Sequence, residues 1–142
     1  MIGIVIATHG TNASALLNTC MDMLGESVDA CSAISIDADM DRASGHKLFV
    51  EAIDAVDQGQ GVLILVDMFG GTPSTLAMSL LAEREIEVLT GVNLAMVLRA
   101  ALRRANTNLS NLASDVLSYG QRNVTSSAQW LSPNPPNRDS SS

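Results

Sequence analysis

Two short segments hold the side chains with most chemistry to offer. His9 lies in Ala7-Thr8-His9-Gly10, directly after the apolar run Ile2-Gly3-Ile4-Val5-Ile6. Asp67 ends a second run, Val62-Leu63-Ile64-Leu65-Val66, and precedes Met68-Phe69-Gly70-Gly71-Thr72-Pro73. A continuous β-branched run reads as a parallel strand buried on both faces. Open α/β sheets carry their chemistry at the carboxyl ends of strands, where neighbouring connections diverge. If these two strands are neighbours, an imidazole and a carboxylate meet at one mouth of the sheet. A carboxylate accepting one ring N–H decides which nitrogen keeps a lone pair, and it offsets the cation formed when that nitrogen attacks.

In hydrolases such a pair serves a serine or cysteine. Neither Cys20 nor Cys31 is expected at this mouth, and Thr72 and Ser74 open a helix rather than a G-x-S-x-G elbow. The imidazole itself is the expected nucleophile. The Gly70-Gly71-Thr72-Pro73 turn offers backbone N–H groups, a hydroxyl and a helix start, which together suit a phosphoryl group. No P-loop motif is present, so direct ATP hydrolysis has no support.

The elements that must position these groups follow from periodicity. Strands are expected at 2–7, 31–36, 62–66 and 86–89. Helices are expected at about 13–24, capped by Thr11 or Asn12 and ended by Gly25, and at about 44–57. A third opens with Thr72 as cap and Pro73 at its first position and runs to about Glu83. A fourth covers 94–104, and a fifth starts near Leu109 and stops at Gly120. Strands separated by helices of this length imply βαβ units: an α/β single-domain fold with an open, mainly parallel four-stranded sheet and helices on both faces. Gln121–Ser127 is polar and rich in threonine and serine, a composition for an edge strand and not a central one. The folded domain is expected over 1–128, with 129–142 a disordered tail rich in Pro, Ser and Asn.

Composition narrows the function further. The net charge is −7 and the only basic cluster is Arg99, Arg103 and Arg104, read as solvated and favourable to a helix carboxyl end. A nucleic-acid footprint is absent, and with 3% aromatic residues there is little to stack on bases. Acidity favours encounter with a basic protein partner. The cysteines lack metal spacing, and Asp37, Asp39 and Asp41 lack the glycine and distal glutamate of a calcium loop. A His9/Asp67/His46 metal site has poor spacing, and no metal or cofactor is expected. With no signal peptide and no long apolar stretch, the expected location is the cytoplasm.

Taken together, Ile4-Val-Ile-Ala-Thr-His-Gly10, Gly61 through Pro73, and Leu89-Thr-Gly-Val-Asn-Leu-Ala-Met96 resemble the IIA component of the mannose-type (mannose–fructose–sorbose) phosphoenolpyruvate:sugar phosphotransferase system. The resemblance implies that His9 accepts a phosphoryl group from the phosphocarrier HPr and passes it to a IIB protein. Because no IIB segment follows, IIB is expected as a separate protein, and a membrane permease would be met only through it. Asp67 becomes the orienting carboxylate, Gly10, Gly70, Gly71 and Thr72 the phosphate-binding turns, and Met68 and Phe69 the apolar contact for partners. The resemblance also implies a homodimer with an antiparallel C-terminal strand exchanged between subunits, where Gln121–Ser127 stands. The loop Asp37–Arg42 departs from the family's Pro-Gly-acidic pattern. Two other readings use the same histidine: a phosphorylation-state regulatory module, and the phosphocarrier subunit of a dihydroxyacetone kinase, whose motif usually has serine beside the histidine. A flavodoxin-like cofactor binder lacks the aromatic loops to sandwich a flavin.

Overall fold

A computed structural model describes residues 1–136. Strands β1 (Gly3–Thr8), β2 (Cys31–Ser35), β3 (Val62–Val66) and β4 (Ile86–Leu89) pair in parallel in the order β2-β1-β3-β4. Between and after them come α1 (Asn12–Leu24), α2 (Arg42–Val56), α3 (Thr72–Met78), α4 (Leu94–Arg103), α5 (Leu109–Arg122) and the short α6 (Ser127–Trp130). The chain leaves β1 to one side for β2, then returns across it to β3. The carboxyl ends of β1 and β3 therefore flank the point where the connections diverge.

Every residue of β1 and β3 is buried, as a sheet covered on both faces requires. Alternation along the strands divides their side chains between two cores. Ile4, Ile6, Leu63 and Leu65 join α1, α4 and α5 on one face. Val5, Ala7, Val62, Ile64 and Val66 join Phe49 and Ile53 of α2 and Leu76 and Ala77 of α3 on the other. Each buried Val, Leu or Ile contributes about 1.5–3 kcal/mol, so the two central strands are well secured.

Several boundaries differ from the sequence reading. Gly120 does not stop α5, which continues to Arg122. A Cβ at Gly120 would stand 2.4 Å from the Met96 side chain, so glycine there answers to packing against α4 and not to termination. Consequently Gln121 and Arg122 complete a helix, and Asn123–Ser126 forms no strand in this chain. The expected fifth edge strand is absent among the described residues. α3 ends at Met78 because Ser79–Arg84 tightens into turns, with Leu80 N–H bonded to Ala77 O and Leu81 N–H to Met78 O. Its N-cap is Gly71, and Thr72 is the first helical residue without a side-chain cap bond. Of the expected tail, Gln129 and Trp130 close α6, Leu131–Pro136 has no helix or strand, and 137–142 lie outside the described residues.

The arginine cluster is also not simply solvated. Arg104 is 5% exposed and donates to the carbonyls of Ile2, Asp29 and Ala30. It holds the turn in which Ala30 adopts a left-handed φ of 47°. Arg99, 8% exposed, makes two bonds of 2.8 Å to Asp115. Those bonds hold the Asp115 carboxyl below its ordinary value of 3.8, outweighing burial. A carboxyl whose pKa is lower folded than unfolded binds fewer protons in the folded state. Its stabilisation is present above pH 3.8 and is lost as pH falls through the folded value. Asp115→Asn should therefore lower stability by about 2 kcal/mol at pH 7, an amount reduced for the carboxylate's partial exposure. Thermal unfolding across pH 2–7 should show the gap between variant and wild type narrowing at the acid end. A gap independent of pH would refute the assignment.

Candidate functional site

β1 and β3 are in register from Gly3 opposite Val62 to Ala7 opposite Val66. Two residues past that last pair on one strand and one on the other, His9 and Asp67 come together. His9 Nδ1 lies 2.8 Å from Asp67 Oδ2, which also accepts the His9 backbone N–H at 3.0 Å. Asp67 Oδ1 accepts the Met68 N–H at 3.0 Å. Partial burial works to raise the Asp67 carboxyl, but the His9 backbone and ring and the Met68 N–H outweigh it and hold the group below its ordinary value. An ionised carboxylate only accepts, so Nδ1 carries the hydrogen. Nε2 then holds the lone pair, on a ring whose side chain is 37% exposed.

Neighbouring elements hold the ring's backbone. Thr8 is fully buried, and its Oγ1 accepts the Ala13 N–H at 2.8 Å while donating to His9 O at 3.1 Å. Thr11 is the N-cap of α1, as expected, but its side chain makes no cap bond, and the Thr8 hydroxyl fastens the helix start instead. Ser35 Oγ donates to Gly10 O at 2.6 Å. Gly10 and Gly70 turn the chain at φ of 55° and 82°, conformations that glycine adopts without strain. Periodicity marked neither Thr8 nor Ser35. A hydroxyl on a fully buried strand end is the one sign that Thr8 had a bond to make.

Gly71 approaches the ring most closely. A Cβ there would stand 3.0 Å from His9 Cε1, 3.2 Å from Met68 Cγ and 3.7 Å from His9 Nε2. The backbone at Gly71, φ −76° and ψ 170°, is open to any residue, so glycine is needed for space. Gly71→Ala should melt within about 2 °C of wild type while slowing any reaction at Nε2 roughly tenfold, because small displacements of a positioned nucleophile are costly. Thermal unfolding beside a His9 labelling time course checks this. Undiminished labelling would show that the ring tolerates the extra methyl.

Met68 and Phe69 are exposed at 56% and 75% beside the pair. Thr72 and Gly70 line an adjoining cavity of about 270 Å³ with Met40, Arg42, Thr75 and Leu76. Arg42 is a residue the motifs did not single out. A larger cavity of about 420 Å³ lies at Arg99 and Asp115, with no histidine or cysteine in its lining. Among the described residues, no group of three or more His, Cys, Asp or Glu side chains is arranged to hold a metal ion. His46 lies 4.0 Å from Glu83.

Known proteins show the family of this chain. The family model for the PTS system fructose IIA component matches residues 3–117. The chain belongs to that family of phosphotransferase-system IIA components. The mannose-specific EIIAB component of Escherichia coli is 33% identical to this IIA component over 108 residues, covering 72% of the chain and 32% of the relative. The chain thus spans about a third of that relative's length. The fructose-specific EIIA component of Bacillus subtilis is 27% identical over 132 residues, covering 92% of the chain and 90% of the relative. The mannose/sorbose-specific IIA subunit of Enterococcus faecalis superposes with a TM-score of 0.78 at 25% identity, covering 88% of this chain and 93% of its own. In the same fold, EIIA from Streptococcus agalactiae reaches 0.81 at 24% identity, over 90% and 98% of the two chains. This IIA component has no described helix long and apolar enough to cross a membrane.

Proposed function

We propose that this IIA component is a phosphohistidine carrier of a sugar phosphotransferase system, with His9 accepting a phosphoryl group from HPr and delivering it to a IIB component. The observation that carries the reading is the 2.8 Å bond from Nδ1 to an ionised Asp67, which leaves the Nε2 lone pair to act. Nε2 attacks phosphorus, the donor nitrogen recovers the electron pair of the bond that breaks, and Nδ1 keeps its proton, which it donates to Asp67 Oδ2. Transfer between two histidines needs positioning more than covalent machinery. The same carboxylate beside a dianionic phosphoryl group keeps the phosphohistidine high in energy, as a relay requires. Gly70, Gly71 and Thr72 shape the phosphate's surroundings, Gly10 turns the chain behind the ring, and Met68 and Phe69 meet the partners. The carrier works in the cytoplasm as a homodimer and reaches a membrane permease only through IIB.

Incubation with phosphoenolpyruvate, enzyme I and HPr should add one acid-labile phosphoryl group per chain. Subsequent IIB should remove it. Absence of label on the wild-type protein rejects the carrier reading. A label on His9 that no IIB protein discharges supports a regulatory role, and discharge only to dihydroxyacetone-kinase partners supports that pathway.

A further inference from the structure

The cavity beside the site contains a charge that the fold does not use. α2 begins at Arg42, and Asp41 fixes that start by accepting the Ser44 N–H at 2.7 Å from the N-cap position. Arginine suits this place poorly. The amino end of a helix is partially positive and favours acidic side chains in its first turn, of which α2 has none. Arg42 is exposed and makes no ion pair among the described residues. By contrast, Lys47 faces Glu51, Arg84 faces Asp54, Arg99 faces Asp115 and Arg104 binds backbone carbonyls. A residue that breaks a local rule with no gain to the fold points to a role in function. Arg42 shares its cavity with Gly70 and Thr72, while Gly71 between them stands against the His9 ring.

We infer that Arg42 is a catalytic residue that binds the phosphoryl group while it passes to and from His9 Nε2. The inference rests on the carrier reading above. As the donor N–P bond breaks toward the donor nitrogen and the Nε2–P bond forms, the phosphoryl oxygens carry negative charge throughout. They do so beside the Asp67 carboxylate, with Asp37, Asp39 and Asp41 on the loop leading into α2. A guanidinium supplies the opposing charge, and its forked donors match two phosphoryl oxygens.

The test follows His9 labelling in wild type, Arg42→Gln and Arg42→Lys with two donors: phosphorylated HPr, and phosphoramidate, which has no protein surface. Arg42→Gln should reach the same final stoichiometry with a rate constant lower by about tenfold or more with both donors, at saturating HPr. Arg42→Lys should recover much of that loss. Arg42→Gln should melt at or slightly above wild type, since it relieves charge at the helix start. Normal labelling of Arg42→Gln by phosphoramidate, or a defect confined to KM for HPr, would overturn the inference and make Arg42 a docking contact. If wild-type His9 accepts phosphoryl from neither donor, the carrier reading falls and takes this one with it.

Discussion

Replacing His9 with alanine should abolish phosphoryl uptake while leaving the fold nearly untouched. The ring is the proposed nucleophile at this mouth, and its side chain is 37% exposed, so little buried apolar area is lost. The carboxylate it leaves is still satisfied: Asp67 Oδ2 keeps the backbone N–H of residue 9, and Oδ1 keeps that of Met68. Loss of one partly exposed hydrogen bond costs about 1 kcal/mol, so the thermal transition should fall by only a few degrees. Intact-mass measurement after incubation with the phosphorylated donor reads the first effect and calorimetry the second. Equal labelling of His9→Ala and wild type would place the phosphoryl group on another residue. A collapsed transition would mean that the ring is structural.

The second large effect is expected from Asp67→Asn. Three N–H groups converge on this carboxylate: the His9 backbone, the His9 ring and the Met68 backbone. An amide has the same shape but only one accepting oxygen. Turned one way, it keeps both His9 bonds and opposes its own N–H to that of Met68. Turned the other way, it satisfies Met68 and forces the ring hydrogen from Nδ1 to Nε2, which removes the nucleophile. Either orientation also removes the negative charge that offsets the developing imidazolium. The labelling rate should fall on the order of 10²-fold or more, with a stability loss of about 1–2 kcal/mol. Nitrogen-15 spectra of the imidazole should report the Nδ1–H tautomer in wild type and a shifted or mixed population in the variant. A variant as fast as wild type would leave Asp67 with no part in orienting the ring.

The pairing of these two groups was legible before any coordinates because it depends on strong signals. Runs such as Val62–Val66 are apolar on both faces, and only a central parallel strand accommodates that. Once β1 and β3 are neighbours, residues just past their carboxyl ends are brought to one place by geometry. The misread features depend on particular contacts between distant residues. Gly120 looks like a stop until Met96 is seen to occupy the space of its missing side chain. With the helix carried through to Arg122, Gln121–Ser127 forms no strand within this chain, although its composition suited one. Arg104 resembled a solvated helix end because nothing local announces that Asp29 and Ala30 need a donor. Arg42 is a similar case, since its relation to Gly70 and Thr72 exists only across the cleft.

The two strands that end in His9 and Asp67 are each bonded to a neighbour on both flanks. Fraying at the rims of the sheet therefore has to pass through an intact ladder before it disturbs the imidazole. The partner contact proposed for Phe69 would instead use an exposed side chain on the connection between β3 and α3, outside that ladder. Partner choice in such a molecule can drift, or be re-engineered, by rewriting peripheral loops while the reactive ring keeps its alignment.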